Sequence, residues 1–252
     1  MTANPPALSV RGATKRFGAV VALDGIDLDA RRGEVLALLG DNGAGKSTLI
    51  KCVTGVHRLD AGTVEVDGRR VDPGSPAAAR ALGLETVYQD LALFDNLDPA
   101  ANFYAGREVA APRWLPRGLR FVRRRAMTDE TASVLRRLEV GVRDLRTPVG
   151  LMSGGQRQAV AVARAAAFAT NVVILDEPTA ALGVRESRHV LDLILRLRAE
   201  GLAIIVVSHA MDHVMEIADR AVVMRRGRAV GEAVPRPENK ERIVSLIVGG
   251  AG

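Results

Sequence analysis

Apolar and polar positions alternate through LSVRGATKRFGAVVALDGIDLDARRGE, broken by glycines, which predicts short antiparallel strands with one solvated face. The pattern then changes. EVLALLG, NVVILDEP and GLAIIVVSHA are unbroken apolar runs of strand length and predict buried strands. GTVEVDGR predicts an exposed-edge strand and turn, and LGLETVYQ a further strand. KSTLIKCVTG predicts a helix closed by Gly55. Between the last two buried runs, Val190, Leu193, Ile194 and Leu197 repeat at i, i+3, i+4, i+7 and line one helical face. RAVVMRRGRAVGE reads as a hairpin turning at RRG, and NKERIVSLIVGG as a short last helix with a glycine stop. Strands alternating with helices predict a mainly parallel α/β core. The β-rich start adds an antiparallel layer, and residues 90–160, with helices and arginine-rich loops, read as a helical insertion.

Composition changes this picture little. The 252 residues are 48% hydrophobic and 25% charged, enough for a sizeable core. No apolar run reaches transmembrane length, and MTANPPALSV lacks the basic and apolar regions of a signal peptide. The single cysteine, Cys52, forms no internal disulfide, which fits a reducing cytosol and a small buried hydrophobe. The net charge of +6 fits nucleic acid, an anionic membrane surface or compositional drift. Of 35 basic side chains only Lys15, Lys46, Lys51 and Lys240 are lysine. A lysine kept in so arginine-rich a chain suggests a site that needs a compact point charge.

Lys46 lies in GDNGAGKST. Gly40-x-x-x-x-Gly45-Lys46-Ser47 has the P-loop spacing, with an apolar strand entering and a helix leaving. Gly40, Gly43 and Gly45 allow backbone N–H groups to point inward, and the helix start adds its positive dipole end. Lys46 then reaches the β- and γ-phosphates, and the Ser47 hydroxyl holds Mg²⁺. Asp176, at the carboxyl end of VVILD, supplies a metal carboxylate where ligands sit in open α/β sheets. Glu177 follows it and is placed to orient and deprotonate an attacking water. A second glycine-rich loop, LMSGGQRQ, can start a helix at Ser153, whose N-terminus binds anions.

GDNGAGKST, VYQD, MSGGQ, VVILDEP and VVSHA, in that order, resemble the ATP-binding subunits of ABC transporters over essentially the whole chain. The resemblance implies a P-loop NTPase core over 1–89 and 161–252, with an inserted helical subdomain over 90–160 carrying the signature loop. It implies ATP and Mg²⁺ as cofactors, with nucleotide contacts from Gly40, Asn42, Gly43, Ala44, Gly45, Lys46, Ser47 and Thr48. It implies head-to-tail dimerisation, so that Ser153, Gly154, Gly155 and Gln156 meet the γ-phosphate held by a second copy. By the same resemblance Gln89 touches Mg²⁺ and the attacking water, His209 contacts the γ-phosphate, and Phe17 stacks on adenine. Met152 stands where the family usually has leucine, a volume-conserving change.

EPTAALGVRES and VYQDLALFDNLDPAANFYAGRE resemble the monosaccharide-importer branch. Gly183 replaces the aspartate that many family members use to contact the opposite subunit, and reads as a feature of that branch. The implied partners are a second ATPase subunit, in a homodimer, transmembrane permease subunits and, indirectly, a sugar-binding protein. No nucleic acid is expected, and the implied location is the cytoplasmic face of the inner membrane, peripheral through the permease. Two other readings compete: a soluble ABC-type ATPase acting on nucleic acid, from the net charge, and a weakly hydrolysing partner in a heterodimer, from Gly183. His209 and His213 form an H-x-x-x-H pair, which without an intervening glutamate or third ligand does not read as zinc. Arg123, Arg124 and Arg125 read as a solvated loop or as a surface for anionic lipid or an acidic coupling partner.

Overall fold

The computed structural model describes residues 5–111 and 121–249. Strands β1 (Leu8–Phe17) and β2 (Val20–Ala30) form an antiparallel pair. The buried strand β3 (Val35–Leu39) leads through the P-loop into α1 (Lys46–Val53). Strand β4 (Ala61–Val66) joins β1, and the two-residue β5 (Arg69–Arg70) covers only Glu65 and Val66 of β4, which is otherwise the open edge that its sequence predicts. Helix α2 (Pro76–Ala81), capped by Ser75, precedes β6 (Leu84–Val87).

The middle of the chain holds α3 (Pro99–Phe103), a minimal β7 (Ala110–Ala111) and β8 (Phe121–Val122) pair, and α4 (Arg124–Arg137). Helix α5 (Gly154–Phe168) starts at the second glycine-rich loop and runs without a break through the expected boundary at 160/161. Strand β9 (Val172–Asp176), α6 (Val184–Ala199), β10 (Ala203–Val207) and α7 (Met211–Ile217) follow. The hairpin β11 (Arg220–Arg225) and β12 (Arg228–Ala233) turns at Arg226 and Gly227, both at positive φ, and α8 (Lys240–Val248) ends at the left-handed Gly249. Of the arginine-rich segment, residues 112–120 lie outside the described residues. Arg123 precedes α4, and Arg124 pairs with Asp98, the cap of α3, at 2.6 Å.

The main sheet has the order β12-β11-β3-β10-β9-β6, parallel except for β12. Its central strands are apolar at every position because each face meets a separate core. Leu36, Leu38, Ile174, Ile205 and Val207 pack towards α1 and the antiparallel layer. Val173, Leu175, Ile204 and Val206 pack towards α5 and α6, where Val190, Leu193, Ile194 and Leu197 line the buried face of α6. Replacing the fully buried Ile174 by Ala is expected to cost about 2–5 kcal/mol, read as a lower denaturant midpoint. A loss below about 0.5 kcal/mol, typical of surface positions, would contradict this account of the core.

Candidate functional site

The P-loop is built where β3 ends. Gly40, Gly43 and Gly45 stand at φ +146°, +80° and +104°. Two of them are also required by close approach. A Cβ on Gly40 would overlap the Met224 carbonyl oxygen, and one on Gly45 would lie 2.6 Å from the Ala22 oxygen. The β11–β12 turn braces the loop from outside: Gly227 N–H donates to Ala44 O at 2.9 Å, and Asp24 N–H donates to Gly227 O at 2.8 Å. No sequence signal marks this brace, because its residues lie far down the chain. No side chain caps α1, so its first N–H groups are left to a ligand. Lys46 Nζ donates to Gly40 O at 2.5 Å and Asp41 O at 3.0 Å, folded over the loop it belongs to.

Opposite the loop, the parallel ladder sets Asp176 level with Val207. Glu177 follows at φ +52°, a conformation costing a non-glycine residue about 1–3 kcal/mol. Its N–H donates to Val207 O at 2.8 Å. His209 Nδ1 donates to Glu177 Oε1 at 2.8 Å, which leaves Nε2 exposed to whatever enters. One turn later His213 Nδ1 shares a 2.9 Å hydrogen bond with Thr179 Oγ1, so the histidine pair serves two separate tethers. The sequence reading missed this Thr179–His213 tether, whose partners are 34 residues apart. Burial pushes the Asp176 carboxyl above its ordinary pKa, and repulsion from Glu177 adds to this, while Lys46 and Lys51 oppose it.

Lys46, Asp176 and Glu177 share an open cavity of about 360 Å³ walled also by Asp41, Asn42, Gly43, Ala44, Gly45, Ser47, Thr48 and Gln89; His209 is not among its lining residues and is joined to it through Glu177. The cradle fits phosphate: the α1 start has no side-chain cap, and Lys46 lies on its wall. Among the described residues no three His, Cys, Asp or Glu side chains gather as a metal cluster. Mg²⁺ needs none when one carboxylate, a hydroxyl and phosphate oxygens share it, and Asp176, Ser47 and Gln89 face one space.

Two predicted groups stand apart. Ser153 caps α5 in a reciprocal box: Gln156 N–H donates to Ser153 Oγ at 3.2 Å, and Ser153 N–H donates to Gln156 Oε1 at 3.0 Å. Gly154 borders a different cavity, and Gly155 is required because a Cβ there would press on Glu186 at 2.6 Å. Phe17 ends β1 and is 45% exposed. Its ring meets His57 edge-on at 5.3 Å, and Lys15 Nζ lies 5.4 Å from its centroid. Val20, Val21 and Ala22, rather than Phe17, wall the phosphate cavity on that side.

Gly45→Ala is expected to lower ATP affinity about tenfold or more, because both its φ and its Cβ are refused. Gly43→Ala, whose Cβ meets nothing within 4 Å, carries only the backbone cost of about 1 kcal/mol. Equilibrium nucleotide binding and thermal unfolding compare the two, and equal effects would contradict the close approach at Ala22.

A family model described as ABC transporter matches residues 23–180. A fructose import ATP-binding protein of Rhizobium meliloti is 46% identical over 248 residues, covering 98% of this chain and 95% of that protein. A xylose/arabinose import ATP-binding protein of Sulfolobus acidocaldarius is 42% identical over 240 residues, covering 95% and 93%. A ribose import ATP-binding protein of Rubrobacter xylanophilus is 43% identical, covering 97% of this chain and 47% of that longer one. Among solved structures, a Clostridium perfringens component of an ABC transporter complex is 28% identical with a TM-score of 0.77, covering 95% and 93%. A nucleotide-free ATP-binding cassette has a TM-score of 0.82 at 24% identity, covering 96% and 97%, and shares the fold. With its phosphate cradle, paired acids and second glycine loop in place, this chain belongs to the ABC transporter family as one of its ATP-binding, ATP-hydrolysing subunits.

Proposed function

We propose that the chain hydrolyses ATP to drive import of a monosaccharide through a separate membrane permease. The observation that supports the ATPase cycle is that one chain carries two glycine-rich helix starts lining two separate cavities, with only Gln89 on the wall of both. The P-loop cavity holds Gln89, Asp176 and Glu177, whereas the N-terminus of α5 opens beside another cavity. A second copy, turned head to tail, brings its Ser153, Gly154 and Gly155 to the γ-phosphate and completes both sites. The sugar reading is supported by 46% identity to a fructose importer ATPase along nearly the full length of both chains.

In this reading Lys46 exchanges the Gly40 and Asp41 carbonyls for phosphate oxygens. Asp176, Ser47 and Gln89 would hold Mg²⁺, which would supply positive charge against the phosphate oxygens. Glu177 takes the proton of the attacking water as the new oxygen–phosphorus bond forms and the bond to ADP breaks. His209, already bonded to Glu177, fixes that carboxylate and meets the γ-phosphate through Nε2. Phe17 offers its exposed ring to adenine. Moving a dimer from 1:99 closed to 99:1 takes about 5.5 kcal/mol. Two hydrogen bonds to charged oxygens at each of two sites, about 1.5–3 kcal/mol each, supply it. ATP therefore closes the dimer, and loss of the γ-phosphate reopens it.

Among the described residues no helix is long and apolar enough to cross a membrane, so this motion acts on another protein. An apolar groove of about 400 Å³, walled by Phe94, Leu97, Ala101, Val122 and Met127, offers the permease a seat. In this reading the chain is attached peripherally, through the permease, at the cytoplasmic face.

Glu177→Gln is expected to keep ATP binding, lower turnover at least about a hundredfold and accumulate closed dimers, seen by size-exclusion chromatography. Turnover at the normal rate would remove Glu177 as the base. Affinity purification from gently solubilised native membranes is expected to recover a multi-span permease, and Phe94→Asp to lose it while keeping ATP binding. Recovery with nucleic acid and no membrane protein would overturn the transport reading in favour of a soluble ATPase.

A further inference from the structure

Two residues of the turn after β9 are held by two residues of the segment after β10. Glu177 Oε1 meets His209 Nδ1 at 2.8 Å, and Thr179 Oγ1 meets His213 Nδ1 at 2.9 Å. Glu177 and His209 have parts in the hydrolysis proposed above. Thr179 and His213 have none, and neither is among the residues that wall the phosphate cavity.

The turn itself is strained. Glu177 and Ala181 stand at φ +52° and +58°, with Pro178, Thr179 and Ala180 between them. Non-glycine residues keep such angles only where neighbouring contacts over-determine the backbone. Within the turn Ala180 N–H donates to Glu177 O at 3.1 Å, and towards the sheet Glu177 N–H donates to Val207 O at 2.8 Å. That second bond fixes the near end. At the far end the side chain of Thr179, a residue only 8% exposed, reaches His213. Their bond lies beside a gap of about 10 Å³, walled mainly by apolar side chains such as Leu191, Val206, Val214 and Ile217. That space holds one water at most, so bulk solvent does not compete for the bond.

His213 stands on a fixed support. On α7, Val214 and Ile217 are buried, Glu216 pairs with Arg188 of α6, and Asp212 pairs with Lys240 of α8 at 3.0 Å. The His209 side chain, by contrast, is 78% exposed, so packing does little to hold its ring. Its bond to Glu177 therefore depends on where the two backbones stand. The Glu177–Val207 bond brackets that pair on one side, and the Thr179–His213 bond on the other.

We propose that His213 is a positioning residue for ATP hydrolysis: through Thr179 it ties the turn after β9 to α7, and so keeps the Glu177 carboxylate where His209 and the attacking water meet it. One point of attachment lets the turn pivot, whereas two fix its direction. The inference rests on the reading of Glu177 as the base and of His209 as its partner at the γ-phosphate. A misplacement of about 1 Å at a reacting group costs about a hundredfold in rate. A bond that touches no nucleotide therefore governs the chemical step and leaves binding alone.

The test reads kcat, KM for ATP and the nucleotide-free thermal midpoint of the full-length chain carrying His213→Leu, Thr179→Val, both together, or Thr179→Ser. His213→Leu is expected to lower kcat about tenfold or more with KM little changed. Thr179→Val, which removes the hydroxyl at almost constant shape, is expected to match it and carries the test should His213→Leu fail to fold. Thr179→Ser keeps the hydroxyl and is expected to recover most of the rate. The double variant is expected to lose no more than either single one, because both remove the same bond. An unchanged kcat in His213→Leu or Thr179→Val, even with a lower thermal midpoint, overturns the positioning role. A loss confined to KM, or losses that multiply in the double variant, overturns it too. Glu177→Gln is the control: normal turnover there removes the base itself, a failure distinguishable from that of the tether.

Discussion

The P-loop, the paired acids, His209 and Gln89 all stand on the carboxyl edge of one parallel ladder. Leu38 pairs with Val207, Val207 with Asp176, and Leu175 with Val87. That register places the P-loop after β3, the paired acids after β9, His209 after β10 and Gln89 after β6 on a single rim. A slip of one residue in any of these pairings would turn its core residues to the opposite core, so burial on both faces protects the alignment. The hydrophobic runs thus do two jobs. They fill two cores, and they hold four short polar segments level with one another.

What happens on that rim is tied to a distant part of the chain through one irregular segment. Residues 91–98 leave the rim at Gln89, are fastened to α5 and α3, and contribute Phe94 and Leu97 to the apolar groove. Gln89 and the proposed permease seat therefore share one piece of backbone, to which the turn before α5 is hydrogen-bonded. Arginine and asparagine side chains replace secondary structure there.

Much of this was legible in the sequence because it is local. The P-loop glycines, Asp176 and Glu177 at a strand end, the start of α5 at Ser153 and the buried face of α6 each declare themselves within a few residues. The strands buried on both faces were visible as unbroken apolar runs. What could not be read depends on tertiary proximity. The two-residue β5, β7 and β8 exist only because other chain segments present matching backbone. Arg164 binds carbonyls 72 and 73 residues upstream, and a backbone carbonyl leaves no mark on sequence. The same holds for Gly227 under the P-loop and for Thr179 beside His213. Phe17 was singled out only by resemblance, as the ring that stacks on adenine, and its neighbours His57 and Lys15 left no mark on the sequence.

The central claim is that ATP joins the P-loop of one copy to the start of α5 in another. It is tested most directly by crosslinking a mixture of two otherwise cysteine-free variants, Asn42→Cys in one and Ser153→Cys in the other, each with Cys52→Ser. The account predicts a mixed covalent dimer on oxidation in ATP without Mg²⁺, and little of it in ADP. Formation of the same product regardless of nucleotide, or of none in ATP, would contradict it.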